Sequence, residues 1–355
     1  MVSAPGRVNL IGEHIDYHGL PVLPMALRRS IRVRFTARPD QRITADSAEY
    51  GRREFEWVAN LAPVARGDWE NYLRAAAQAI AGKWGVLRGL DAHIESDLPA
   101  AAGLSSSSAL IVAFTLALLR ANERNATFEE LMEILPDGEQ FVGTRGGGMD
   151  HAASLGSRAG CASLVRFSPV SVRHVPIPPD WAFLVAHSMH TAEKSGAARE
   201  RYNAVRAAGS EALRKLGFPS YAQAVETVDL SGVTHPVFLH VVTEARRVME
   251  CVAAMEADQP ERFGRLLLDS HASLRDRLEV SCPALDQLVE AAMASGALGA
   301  RLTGAGFGGC AVVLSRRGEL EKVRRRLIER FYAGVAARGA APVFDAEPGP
   351  GAVHS

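Results

Sequence analysis

Lysine is almost missing from this chain. Of 40 basic residues, all but Lys83, Lys194, Lys215 and Lys322 are arginine, which leaves few candidates for any mechanism that needs an amine. Excess charge of either sign is missing too. The 40 acidic residues cancel the basic ones to a formal net charge of +0, so nothing in the balance points to nucleic acid or to a membrane surface. Cysteine is scarce: Cys161, Cys251, Cys282 and Cys310 lie far apart, without CxxC or Cys/His ligand spacing. Reduced thiols are expected rather than disulfides or a metal centre. No apolar run reaches membrane-spanning length and no charged-then-apolar leader opens the sequence, so the cytoplasm is the expected location. No fixed-period repeat or low-complexity tract occurs. GxxxxGK[ST] is absent as well, which excludes a Walker-type phosphate loop.

What is present is a chain of 355 residues, 47% hydrophobic, long enough for two domains with a core each. The boundary is expected near Pro178-Pro179, giving segments 1–178 and 179–355. Val8 to Ile11 reads as a short strand behind the extended Ser3-Ala4-Pro5, and "SIRVRFTA" (Ser30 to Ala37) alternates as a half-buried strand does. "DWENYLRAAAQAIAG" is helical in character and "LDAHIESDLP" is a strand candidate. "SSSSALIVAFTLALLRAN" (Ser105 to Asn122) is apolar nearly all round, hence a buried helix. "TFEELMEIL" predicts a shorter amphipathic helix stopping at Pro136-Asp137-Gly138. Cys161 to Ser188 is β-like, and helical pattern dominates from Glu193 to about Ala294. An apolar strand (Cys310 to Leu314), a helix (Glu319 to Ala337) and a last β-segment close the chain. The class is α/β or α+β.

Four stretches could carry chemistry. "GRVNLIGEHIDYHG", Gly6 to Gly19, packs Arg7, Asn9, Glu13, His14, Asp16 and Tyr17 between Val8, Leu10 and Ile11, an unusual polar load for a segment apolar enough to enter a core. "LPAAAGLSSSSAL", Leu98 to Leu110, runs from strand through a small-residue turn into a helix opening on serines, an arrangement suited to phosphate. It also reads as a serine-rich linker or a merely capped helix, although the run passes without a break into the apolar helix. "RLTGAGFGGCAVVLS" satisfies GxGxxG at Gly304, Gly306 and Gly309. A dinucleotide site needs a strand before the glycines and a helix after them, whereas here a helical pattern precedes and a strand follows. A glycine turn able to approach a ligand remains, as does a plain helix-to-strand connection. In "EQFVGTRGGGMDHAAS", three glycines precede Asp150, which by itself would be read as a helix cap.

Together these stretches resemble the GHMP small-molecule kinases and, within them, the galactokinase branch. "GRVNLIGEHIDY" is similar to that branch's first motif nearly residue for residue. "GLSSSSAL" looks like its ATP-phosphate loop, "GGGMD" like its catalytic-aspartate segment and "LTGAGFGGC" like its third glycine motif. The similarity extends through Ser270 to Ala292 and to Phe344–Ala352. The resemblance implies a two-domain α/β (α+β) fold, the first domain like ribosomal protein S5 domain 2 and the second ferredoxin-like, with the active site between them. It implies transfer of the γ-phosphoryl of ATP, with Mg²⁺, to the C1 hydroxyl of α-D-galactose, by a monomer. The polar residues of Gly6 to Gly19 would then line a sugar site, where hydroxyls are read by side chains held rigidly.

Carried over by position, the resemblance makes Asp150 the catalytic aspartate and Arg7 the arginine beside it. Glu13, His14, Asp16, Gly147 and Tyr202 become the sugar contacts. Gly103, Leu104, Ser105, Ser106, Ser107 and Ser108 cover the phosphates, with Ser107 and Glu139 as Mg²⁺ ligands. Trp69 falls where the family has an aromatic near adenine, although Trp69 and Tyr72 read nearly as well as half-buried helix aromatics. Some features differ from the commonest bacterial pattern. HIDY, Gly146, Glu139 and "TGAGFGG" lean toward the branch that includes N-acetylgalactosamine kinase, whose 2-acetamido group the three glycines could accommodate. Tyr202 in its "YN" context leans back toward galactose. His151 stands where a glutamine usually follows the aspartate, and the family has additional residues ahead of Ser3. A non-catalytic sugar sensor is the rival from another class, against which the serine loop is intact.

Overall fold

The computed structural model describes residues 1–98, 103–141, 143, 146–190, 197–334 and 342–354, without the side chains of 137, 139–141, 197–199 and 353–354. Two sheets organise it. The first has the order β12 (Val353–His354), β1 (Val2–Ile11), β2 (Leu23–Ala37), β5 (Leu90–Ser96), β3 (Arg42–Ser47), β4 (Gly51–Glu56), and the second the order β11 (Val343–Asp345), β8 (Trp181–His187), β10 (Cys310–Arg316), β9 (Gly299–Thr303). β1 (Val2–Ile11) and β2 (Leu23–Ala37) pair antiparallel, and the far half of β2 pairs with β5 (Leu90–Ser96). β3 (Arg42–Ser47) joins β5 in parallel and forms a hairpin with β4 (Gly51–Glu56). β1 is nearly continuously buried because helices cover the sheet. Helix α1 spans Glu70–Trp84, α2 Ser106–Ala121, α3 Phe128–Phe141 and α4 Met149–Gly156.

α2 is the centre of that layer. From Ser108 to Leu119 every side chain is buried, because β1 and β2 pack on one side and α1, α3 and α4 on the others. A helix enclosed all round has no use for a polar face. α3 does not stop at Pro136 as expected from the sequence but carries that proline inside it. Leu131, Met132, Ile134 and Leu135 are buried on one flank, and Gly138 lies close to Ala75 of α1 and Ile111 of α2. Packing outweighs the local cost of an interior proline, which is about 3 kcal/mol.

A hairpin of β6 (Cys161–Phe167) and β7 (Val170–Pro176) leads through Pro178-Pro179 to β8 (Trp181–His187) in the second sheet. Helices follow: α5 (Ala197–Lys215), α6 (Tyr221–Thr227), α7 (Pro236–Glu256), α8 (Pro260–Asp276) and α9 (Pro283–Ala294). Then come β9 (Gly299–Thr303), β10 (Cys310–Arg316), α10 (Leu320–Phe331) and β11 (Val343–Asp345). The Gly304–Gly309 turn therefore joins two paired antiparallel strands and is not a helix-to-strand connection. β9 is only five residues long and buried at every position, so it shows no alternation from which a strand could be read. The chain's end returns to its beginning. Ala26 accepts from the Gly349 N–H at 2.8 Å, and β12 (Val353–His354) pairs with β1, a return that a division at residue 178 leaves out. Among the described residues no helix is long and apolar enough to cross a membrane.

Candidate active site

β1 carries the first motif into the middle of the molecule, and its polar side chains are spent on three other loops. Arg7 lies in the strand with its own N–H donating to the Leu104 carbonyl at 3.1 Å. Its guanidinium reaches the Gly103 carbonyl at 2.8 Å through one terminal nitrogen. Nε donates to Asp150 Oδ1 at 2.7 Å. Asp150 stands in the first turn of α4, one residue past Met149, while Gly148 with φ +95° occupies the cap. The aspartate is therefore not a helix cap. Its second oxygen accepts from the Ser105 hydroxyl, with Ser108 Oγ at 3.5 Å.

Burial alone would push the Asp150 carboxyl up. The Arg7 charge, the Ser105 hydroxyl and the Arg7 hydrogen bond outweigh it and hold the group below its ordinary value. The Arg7 side chain is 6% exposed and that of Asp150 21%, so the carboxylate is ionised and still reachable. Ser105 itself sits at φ +56°, where the chain reverses into α2. α2 begins at Ser106, one residue on, so the open end of that helix, with its unpaired backbone N–H groups, starts next to the serine that contacts the carboxylate.

The third glycine turn closes on this pair of loops. A Cβ on Gly304 would lie 3.3 Å from the Gly103 carbonyl oxygen. Thr303 Oγ1 accepts from the Asn9 N–H at 3.1 Å and donates to the Asn9 carbonyl at 3.0 Å. The Gly304 N–H donates to Glu13 Oε1 at 2.5 Å, and Asn9 Nδ2 donates to Glu13 Oε2. Arg301 lies 3.7 Å from Glu13 Oε1 and is fully buried, its NH1 donating to the Leu10 carbonyl at 2.9 Å. Burial raises the Glu13 carboxyl, against the pull of Arg301 and Arg7.

His14 takes a left-handed backbone, φ +62°, unusual for a residue with a side chain. Both ring nitrogens hold it there, with Ala305 carbonyl oxygen 3.1 Å from Nε2 and Tyr17 hydroxyl 2.8 Å from Nδ1. Burial lowers His14 to about 3, so the ring is neutral. Its Nε2–H then donates to Ala305 while Nδ1 accepts from Tyr17. The Tyr202 ring of α5 lies 5.3 Å from His14 and 5.6 Å from Tyr17, centroid to centroid. Asp16 Oδ2 accepts from the Gly147 N–H at 3.0 Å. A Cβ on Gly147 would stand 2.3 Å from the Asp16 carbonyl carbon and 2.4 Å from Tyr17 N. Only glycine permits that approach.

The three family descriptions that match are ordered along the chain. The galactokinase galactose-binding signature covers residues 1–36, the GHMP kinases N terminal domain 71–158 and the GHMP kinases C terminal 251–333. A galactokinase of Roseiflexus sp. is 36% identical over 366 residues, covering 99% of this chain and 93% of that protein. The chain belongs to the galactokinase family of GHMP kinases. The galactokinase of Homo sapiens is 35% identical over 360 residues, 96% and 91% of the two chains. A Lactococcus lactis galactokinase solved with galactose superposes at a TM-score of 0.87 and 28% identity, over 99% of this chain and 94% of that one.

Measured against the galactokinase pattern, the fold brings Arg7, Asp150, Gly103, Leu104, Ser105 and Ser108 together at one point. It gathers Asp16 and Gly147, and separately His14 and Tyr202, around the first motif. Trp69 contacts Tyr50, donating Nε1–H to its carbonyl at 3.1 Å, and the Arg53 guanidinium lies 5.8 Å from its ring centroid. Glu139 belongs to the side chains outside the described residues. Arg301, Thr303 and Ala305 also build the site, although the motif they flank or form singles out only its glycines. Tyr17 of the first motif joins them through the His14 ring. His151 is fully buried, and among the described residues neither ring nitrogen has a hydrogen-bond partner. Burial lowers it to about 4.

Proposed function

We propose that this protein transfers the γ-phosphoryl group of ATP to the C1 hydroxyl of α-D-galactose, giving galactose 1-phosphate and ADP. One observation carries the reading. The Asp150 carboxylate is fixed between Arg7 and the serine at the mouth of α2, so an alcohol beside the carboxylate also faces a helix end suited to phosphate.

Phosphoryl transfer runs through a loose transition state, and positioning and charge stabilisation supply most of the acceleration. Asp150 accepts a hydrogen bond from the C1 hydroxyl, aims it, and takes its proton as the bond to phosphorus forms. Arg7 keeps that carboxylate ionised and adds positive charge near the transferring group. The Ser105–Ser108 turn cradles the phosphates through N–H and hydroxyl donors. Asp16, Gly147, His14 and Tyr202 shape the sugar's surroundings, with Glu13 supporting the same floor from within. Trp69 is assigned to the adenine side on the family pattern. The Mg²⁺ donors of the chain are hard and few: the Ser107 hydroxyl at the α2 mouth and, on the family pattern, Glu139. Among the described residues no group of three or more acidic, histidine or cysteine side chains could hold a metal. Such a donor set suits Mg²⁺ carried mainly by phosphate and water, where it offsets phosphate charge.

The N-acetylgalactosamine alternative needs room beside the three glycines Gly146, Gly147 and Gly148. Gly147 has its open side filled by the Asp16–Tyr17 backbone, and a Cβ on Gly148 would be 3.2 Å from Met132 and Pro136 side chains. Those glycines serve packing, which favours galactose. ADP release with galactose, N-acetylgalactosamine, glucose, arabinose and glucuronate tests this directly. The expected result is fastest turnover with galactose. Faster turnover with N-acetylgalactosamine, or galactose binding without ADP release as in a sensor, would overturn it.

A further inference from the structure

The Gly12–His14 turn is held from the outside by one helix of the second half. His240 and Glu244 are four residues apart on α7, hence on one face. His240 lies with Nε2 3.0 Å from the Glu13 carbonyl oxygen and Nδ1 2.9 Å from Ser273 Oγ of α8. The ring is fully buried and lowered to about 4 by that burial, so it is neutral. Its Nε2–H donates to Glu13 and the Ser273 hydroxyl donates to Nδ1. Glu244, also fully buried, accepts the Gly12 N–H at 3.0 Å and the Ser270 hydroxyl at 2.6 Å on Oε1, and Arg247 Nε at 2.9 Å on Oε2.

The helix thus takes the last N–H before the turn and the carbonyl inside it. Those two groups flank Gly12, with φ +105°, and immediately precede His14, with φ +62°. Left-handed backbone at a histidine costs free energy and persists only where its surroundings over-determine it. Neither α7 side chain is among the residues that line the sugar's expected position, and both act on its backbone.

We infer that His240 and Glu244 are positioning residues for the sugar site: they clamp the Gly12–Glu13 backbone and so set the aim of His14 and Asp16. The inference rests on the galactose reading above and names the part of the molecule that governs sugar affinity. Losing one buried hydrogen bond of this kind corresponds to about a tenfold change in affinity. His240→Leu is therefore expected to raise the galactose KM about tenfold, with kcat and the ATP KM nearly unmoved. His240→Gln, whose amide N–H can reach the Glu13 carbonyl, should restore most of that loss. Glu244→Gln, which keeps the shape but gives up the charge, should shift galactose KM in the same direction as His240→Leu.

Amide hydrogen exchange on the same proteins supplies a readout that needs no turnover. His240→Leu should lose protection across Gly12 to Tyr17 while α2 and β10 keep theirs. If the unsubstituted protein fails to phosphorylate galactose, the galactose reading falls and exchange alone decides the clamp. Equal movement of both KM values, a glutamine variant no better than leucine, or unchanged protection in the Gly12 turn would overturn the clamp.

Discussion

At Asp150 the chemistry needs an ionised carboxylate in a place that is mostly enclosed, and enclosure by itself favours the protonated form. Arg7, 2.7 Å away, reverses that preference, and the Ser105 hydroxyl adds to it. Asp150→Ala is expected to lower kcat by at least about two orders of magnitude, with galactose KM changed far less. Steady-state ADP release across galactose concentrations separates the two, and near-normal turnover would remove the assignment. Arg7 and Asp150 were legible in the sequence because a resemblance to known motifs singles them out. Their mutual contact across 143 positions was not, since nothing local encodes it. Glu13 shows the converse. A carboxylate in a sugar motif reads as a hydroxyl ligand, yet Asn9 and Gly304 engage its two oxygens.

The loops and helices that hold these residues meet at bare backbone. Gly147 lies against the Asp16–Tyr17 peptide, and a methyl group there must push the two loops apart. Gly147→Ala should raise galactose KM at least about tenfold, the scale of one displaced buried hydrogen bond, and a KM within twofold of the parent would contradict this. Farther from the site, α8 presses on β9, where a Cβ on Gly264 would stand 2.0 Å from the Leu298 carbonyl oxygen. Gly264→Ala is expected to cost about 3 kcal/mol of stability, the upper end for overpacking, read from denaturant midpoints at constant m-value. β5 over Leu90–Ser96 was legible from its alternation, and α2 over Ser106–Ala121 from an apolar run too long for a strand. β9 and the passage of α3 through Pro136 were not, because burial on all sides erases alternation and tertiary packing overrides a local breaker.

Across the whole molecule, five histidines sit in enclosed surroundings, His14, His151, His240 and His271 buried and His18 half-buried. Burial lowers His14 to about 3 and His18, His151, His240 and His271 to about 4. In the unfolded chain each returns to about 6.5. Between those values the unfolded state binds more protons, so stability is complete above about pH 6.5 and declines as pH falls toward 4. The depressed carboxyls of Asp150 and Glu244 add their own loss only below the ordinary carboxylate range. The melting temperature should therefore fall between pH 7.5 and 5, and His151→Gln should flatten that fall. An unchanged slope in the variant would contradict the assignment of His151 as a proton-linked group.

β1, the serine turn and the aspartate turn converge at one point, where a terminal phosphorus would face an anomeric hydroxyl. ³¹P NMR of ATP and galactose incubated with the protein reads the outcome at the reacting atoms. A new phosphate monoester coupled to the anomeric proton, formed together with ADP, is the expected spectrum. A phosphate on the C6 methylene carbon, or free phosphate from ATP with galactose untouched, would contradict it.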